Sequence, residues 1–181
     1  MKRLIYALLA LSVCTATVSL AEEKKTVCEG KLLQYAAKFD VSENDRMFFS
    51  HTYSEHIGKS EKWLKSKMHC RSVSFVSTYF SEESANETIR KALKENKDKI
   101  CEWLENIGKV KENGDKRKKA SLLVTTDASK EIGFGIQNDG EKMNLKRANV
   151  VLKATARDDD IGLYVFTSYP VKNRKYEKKK R

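Results

Sequence analysis

The order of apolar and polar positions divides the chain into a helical half and a strand half. After a polar stretch at residues 22–30, read as loose, residues 31–39 (KLLQYAAKF) carry Leu32, Leu33, Tyr35, Ala36 and Phe39 at spacings that suit a short amphipathic helix. Ser60 is placed to cap a second helix with Trp63, Leu64 and Met68 on one face. A short apolar piece, Val73–Val76, and then Thr78, Tyr79 and Phe80 follow it. The strongest helical signal begins after Ser81, whose hydroxyl can cap a helix whose first turn carries Glu82 and Glu83. Ala85, Ile89, Ala92, Leu93, Ile100, Trp103 and Leu104 then recur at helical spacing, and Gly108 is the predicted stop.

Past a basic stretch at residues 109–119 the period changes. Residues 120–126, 131–136, 146–155 and 161–169 read as strands, the last two joined as a hairpin across Arg157-Asp158-Asp159-Asp160 and closed by Pro170. Helices first and antiparallel strands second predict an α+β fold.

Charge and cysteine usage narrow the setting. Lys2 and Arg3, the ten-residue apolar run from Leu4 to Val13 and the small residues around Ser19-Leu20-Ala21 predict a signal peptide over residues 1–21. The run is short for a membrane span, and the mature chain is expected to have no transmembrane segment. Leu11-Ser12-Val13-Cys14 loosely resembles a lipobox, which valine before the cysteine fits poorly. The expectation is an exported protein, periplasmic or secreted, and a monomer. Beyond residue 21 the chain keeps 34 basic and 25 acidic residues, a net charge of +9. That balance favours a polyanion or an acidic protein as partner, although plain solubility explains it equally. Cys28, Cys70 and Cys101 remain, so at most one internal disulfide forms; Cys70 with Cys101 is one pairing, and Cys28 competes for either. No cysteine pair has zinc-ligand spacing.

Candidate chemistry centres on three histidines, His51, His56 and His69, two of them in HTYSEHIGKS at residues 51–60. An imidazole titrates near neutrality when unperturbed. His56 is followed by Lys59 and by a helix with Lys62, Lys65 and Lys67. A base beside ammonium groups suits phosphodiester cleavage, in which the base takes the ribose 2′-hydroxyl proton and a cation offsets charge on the phosphoryl oxygens. No cofactor or metal is then required, because the nucleophile belongs to the substrate. The plainer reading is a histidine bonded to loop backbone. At the strand end Thr167-Ser168-Tyr169-Pro170, alternation puts Thr167 and Tyr169 on one face, where two hydroxyls can bond a phosphate or a base edge. The basic stretches at 109–119 and 172–181 either add phosphate contacts or are solvated charge.

HTYSEHIGKS resembles the opening signature of the bacterial ribonuclease A-like toxin domains, which end many contact-dependent inhibition and polymorphic toxins. STYFSEESANETIRKALKENKDKICEWL, EIGFGI and VVLKATARDDDIGLYVFTSYP follow in the family's order, so the resemblance covers roughly residues 48–170. It implies a ribonuclease A-like fold, with N-terminal helices packed on a curved antiparallel sheet. It also implies a division into an extension with a short helix at 22–46, the toxin-like domain at 47–170 and a basic disordered tail at 171–181. His56 would be the catalytic imidazole and Lys67 its electrostatic partner, in the place where the family usually has arginine. Thr167 and Tyr169 would contact substrate, with Lys59 and His51 as further substrate-binding residues. RNA is the implied substrate, and an acidic immunity or inhibitor protein the implied partner. Lysine keeps the charge but lacks the planar fork that grips phosphate. A further departure is that the family's domains sit at the end of very large delivery proteins, whereas this short chain is expected to carry its own signal and to be a free-standing version. The competing functions are a catalytically silent cationic module that holds nucleic acid or an anionic surface, and an interaction protein that uses the fold as a scaffold.

Overall fold

The computed structural model describes residues 22–112, 121–155 and 161–173. The expected signal peptide, most of the 109–119 stretch, the Arg157–Asp160 turn and most of the basic tail lie outside the described residues.

Helix α1 spans residues 22–38, so the stretch at 22–30 is helical rather than loose. The part of it at residues 22–30 has no apolar stripe of its own. What holds it is tertiary: a Cys28–Cys101 disulfide, a Lys25–Asp98 ion pair at 2.7 Å and a Lys97–Glu29 contact tie it to α6 (Lys97–Glu112). Cys70 is free and exposed. Helix α2 (Val41–Phe48) starts at Asp40, whose carboxylate accepts from the Glu43 N–H at 2.9 Å. Hydrogen bonds from Glu43 and Ser42 hold that carboxyl below its usual range. A single turn, α3 (Thr52–His56), and α4 (Glu61–Arg71) follow, with α4 capped by Ser60.

Ser81 caps α5 (Glu82–Glu95) through a reciprocal box with Ser84. The apolar spacing from 85 to 104 predicts one continuous helix, but the structure breaks it at Asn96 and runs α6 past Gly108. The Asn96 side chain donates to the Ala92 carbonyl at 2.8 Å, offering that carbonyl a partner outside the regular helical ladder.

The strands form two three-stranded antiparallel sheets. One has the order β1 (Phe75–Tyr79), β3 (Gly133–Gln137), β4 (Lys142–Leu145); the other has β2 (Ser121–Asp127), β5 (Arg147–Ala154), β6 (Leu163–Val171). Helices with antiparallel sheets confirm the α+β class. Strand β1 is hard to read from sequence because four of its five residues are buried, which erases alternation. Pro170 lies inside β6, opposite Ala148, rather than closing it.

The main core lies between α1, α5, α6 and the inner face of β2–β5–β6. It contains Leu32, Ala36, Phe39, Val41, Ile89, Leu93, Ile100, Val124, Val150, Leu152 and Val165. The helices at residues 22–48 are therefore part of the same packed body as the strands. The two sheets meet where the end of β6 passes β1. Ser77 donates to the Pro170 carbonyl at 2.6 Å, and the Tyr79 and Ser168 hydroxyls bond at 2.6 Å.

Candidate active site

The edge of β6 that does not pair with β5 is closed by side chains from α2, α3 and the turn between them. Asn44, buried, donates to the Val165 carbonyl at 2.8 Å and accepts the Val165 N–H at 3.2 Å, as a neighbouring strand would. Ser50 also donates to that carbonyl at 3.0 Å, and Thr52, fully buried, accepts the Ser168 N–H at 3.0 Å. These bonds seal an edge that would otherwise expose unpaired backbone groups, and they fix the single turn α3 against the strand. On the far side, Ile57 bridges Tyr79 and the Gly58 N–H reaches the Tyr79 carbonyl at 3.0 Å. Gly58 takes φ +62°, a conformation that favours glycine. His56 is thus clamped between the two sheets.

The clamp puts the His56 ring 5.4 Å from the Tyr169 ring and 6.2 Å from the His51 ring, centroid to centroid. Thr167 lies two residues before Tyr169 on β6, hence on the same side of the strand. His56 Nδ1 and Thr167 Oγ1 are both buried with no hydrogen-bond partner among the described residues. Buried polar atoms are nearly always satisfied, so these two are left able to bond a polar group or a water that reaches them.

A bulge shapes the same face. Val151 pairs with Thr167, but Leu152 pairs with Val165, leaving Phe166 as the extra residue. Phe166 stands edge-on to His51, with centroids 5.0 Å apart, and the Lys153 ammonium lies 3.3 Å from the centre of its ring. Simple alternation hides Phe166, because it places that residue opposite Thr167. The residue count of the hairpin carries no signal for the bulge.

Of the residues expected at the site, the structure brings His51, His56 and Tyr169 together, and Thr167 shares the Tyr169 side of β6. Lys67 is adjacent but not a free cation. Its ammonium contacts the Glu55 carboxylate at 2.7 Å and the Glu55 carbonyl at 3.4 Å, and its side chain is only 12% exposed. That pairing holds the Glu55 carboxyl below its usual range. Lys59 and Lys67 lie 5.3 and 4.9 Å from the Trp63 ring. The expectation of a histidine titrating near neutrality is also revised. Burial first, then the neighbouring Lys67 and His51, push His56 down to about 3, against the Ser77 backbone and the Glu55 carboxylate. The ring is therefore neutral and can accept a proton or a hydrogen bond.

No three His, Cys, Asp or Glu side chains gather as metal ligands among the described residues, and no described helix is long and apolar enough to cross a membrane. Two grooves, about 450 Å³ between α1, α2 and the start of β6 and about 720 Å³ between α1 and α6, are lined by none of the site residues.

Comparison with curated proteins gives no match. Among solved structures, the chain resembles a CdiA-CT/CdiI complex from Y. kristensenii 33638, at TM-score 0.50 and 18% identity, over 65% of this chain and 95% of that one. That likeness is one of fold. The sequence model of the bacterial CdiA-CT RNAse A domain matches residues 50–170, from the serine before His51 through the end of the Thr167–Pro170 motif. A match over most of the chain, on the α+β fold just described, places this protein in the family of bacterial ribonuclease A-like toxin domains.

Proposed function

We propose that this chain is an exported endoribonuclease toxin that cleaves RNA without a metal, by attack of the ribose 2′-hydroxyl, leaving a 2′,3′-cyclic phosphate and a 5′-hydroxyl. The observation that carries the reading is the pair of orphaned atoms, His56 Nδ1 and Thr167 Oγ1, beside the Tyr169 ring. In this mechanism neutral His56 accepts the 2′-hydroxyl proton. Thr167 donates to a phosphoryl oxygen, Tyr169 orients the phosphate or protonates it, and the 5′-oxygen, leaving as its bond to phosphorus breaks, takes up the proton that His56 had accepted. Lys67 acts at one remove, because its charge is shared with Glu55. An imidazole near pKa 3 is a weak base in the free protein. An anionic phosphate beside it favours the imidazolium and raises its basicity as substrate binds.

Export accords with the Cys28–Cys101 bond, since disulfides persist in oxidising compartments. The +9 charge beyond residue 21 suits an acidic inhibitor as well as RNA. The similar solved structure is a complex of CdiA-CT with CdiI, which favours looking for such a protein partner here.

The test is incubation of the mature protein with tRNA and total RNA in EDTA, beside His56→Ala. Cleavage in EDTA that ends in cyclic phosphate, and falls at least about 100-fold in the variant, supports the assignment. A divalent-metal requirement, or full activity in His56→Ala, rejects it. The second reading, a catalytically silent cationic RNA-binding module, draws on the Lys67–Glu55 pair, which leaves the expected cation partly neutralised. Intact RNA bound in a salt-sensitive manner would select it.

A further inference from the structure

We propose that Lys153, held over Phe166, binds the phosphate next to the one that sits at His56, so that the site takes a strand of RNA rather than a lone phosphodiester. The inference deepens the reading above and rests on it for the identity of the bound strand. Three observations on the outer face of β5 and β6 carry it.

The first is placement. Thr167 faces Val151 across the ladder, and Lys153 lies two residues further along β5. Side chains two apart on a strand share a face and stand about 7 Å apart. That is close to the spacing of successive phosphates along an extended single strand. A backbone with one phosphate at His56, Thr167 and Tyr169 therefore brings the next within reach of Lys153, along the line His56, His51, Phe166.

The second is preorganisation. The bulge at Phe166 turns its ring to the side where His51 and Lys153 lie. The ring face holds the ammonium at 3.3 Å while occupying none of the N–H donors that point away from it. A lysine tethered in this way retains less freedom to lose when an anion arrives.

The third is charge. Lys67 is paired with Glu55, Lys142 with Glu61 and Lys91 with Glu95, whereas Lys153 meets only an aromatic face among the described residues. Lys153 therefore keeps its full charge for a phosphate, as a compact point charge without geometric preference. Local sequence hides this role, because Lys153 sits in a strand between Leu152 and Ala154, and the motif that contains it, VVLKATARDDDIGLYVFTSYP, points to the strand end at Thr167 and Tyr169 instead.

The experiment measures equilibrium binding of uncleavable 2′-deoxy dinucleotides that differ by one added phosphate: none, one at the 5′ end, or one at the 3′ end. The two phosphorylated probes establish on which side the subsite lies. In the wild-type chain the phosphate on one side should tighten binding about tenfold. In Lys153→Gln that gain should vanish, and in Lys153→Arg it should return. Binding of the favoured probe should also fall less steeply with salt in Lys153→Gln than in the wild type, because one phosphate contact is lost. An equal gain in wild type and Lys153→Gln, or an unchanged slope, overturns the proposal. Because no probe is cleaved, the outcome is separate from the EDTA cleavage assay. If RNA stays intact there while the phosphate gain depends on Lys153, the catalytic reading fails and the subsite stands.

Discussion

At the scale of single residues, the pH behaviour of His56 has a definite sign. Its folded-state value, about 3, lies below the ordinary 6.5 of an unfolded chain, so unfolding takes up a proton between these limits. The associated stability is complete above about pH 6.5 and is lost as pH falls toward 3. His56→Ala should therefore show a shallower decline in urea stability between about pH 6 and pH 4 than the wild type. NMR of the ring should show a neutral imidazole at about pH 5, and a higher titration midpoint with a mononucleotide bound. Gly133 marks a second point of close tolerance. A Cβ there would lie 2.1 Å from the Thr78 carbonyl oxygen and 3.0 Å from Pro170 Cγ. Gly133→Ala should thus force β3 off β1 and cost about 3 kcal/mol in urea unfolding. Gly135→Ala should cost less, because its Cβ would meet the Phe75 ring, 2.3 Å away, which can turn aside, and the Val76 carbonyl oxygen only at 3.1 Å.

At the scale of elements, two attachments set where the site forms. Asn44 stands in for a strand along β6, making both hydrogen bonds to Val165. Asn44→Ala should leave the buried Val165 N–H without a partner, while Ser50 still serves the Val165 carbonyl, at a cost of about 2 kcal/mol. It should also slow RNA cleavage, since α3 and His56 hang on the same edge; stability and rate measured on one preparation check both. The Cys28–Cys101 bond joins α1 to α6 across 73 residues of sequence. Loop-closure entropy assigns such a link about 4 kcal/mol, so reductant or Cys28→Ser should lower the denaturation midpoint by a corresponding amount. The continuous helix expected from residue 82 to 108 is interrupted at Asn96, whose side chain bonds back to the Ala92 carbonyl beside its own N–H, a local contact that an apolar count does not register.

At the scale of the whole molecule, one core joins the N-terminal helices to the strands. Leu32 and Phe39 from residues 22–39 share it with Leu93, Leu152 and Val165. Leu32→Ala should accordingly destabilise the entire body by about 3 kcal/mol in a single unfolding transition, rather than releasing a separate N-terminal segment.

The α+β class, the caps at Ser60 and Ser81, the β5–β6 hairpin and the common face of Thr167 and Tyr169 were legible in the sequence. Each depends on residues close together in the chain, through helical period, cap chemistry or strand alternation. The family followed from the order of four short motifs. Contacts between residues far apart decided the rest. They made residues 22–30 helical through Cys101 and Asp98, and buried β1 too thoroughly for alternation to survive. They also placed Glu55 on Lys67, lowered His56 by burial, and set Lys153 over Phe166. Period and propensity report which face of an element is apolar. Which polar side chains meet across the resulting cleft, and so how acidic or how free they are, is fixed only when the elements dock.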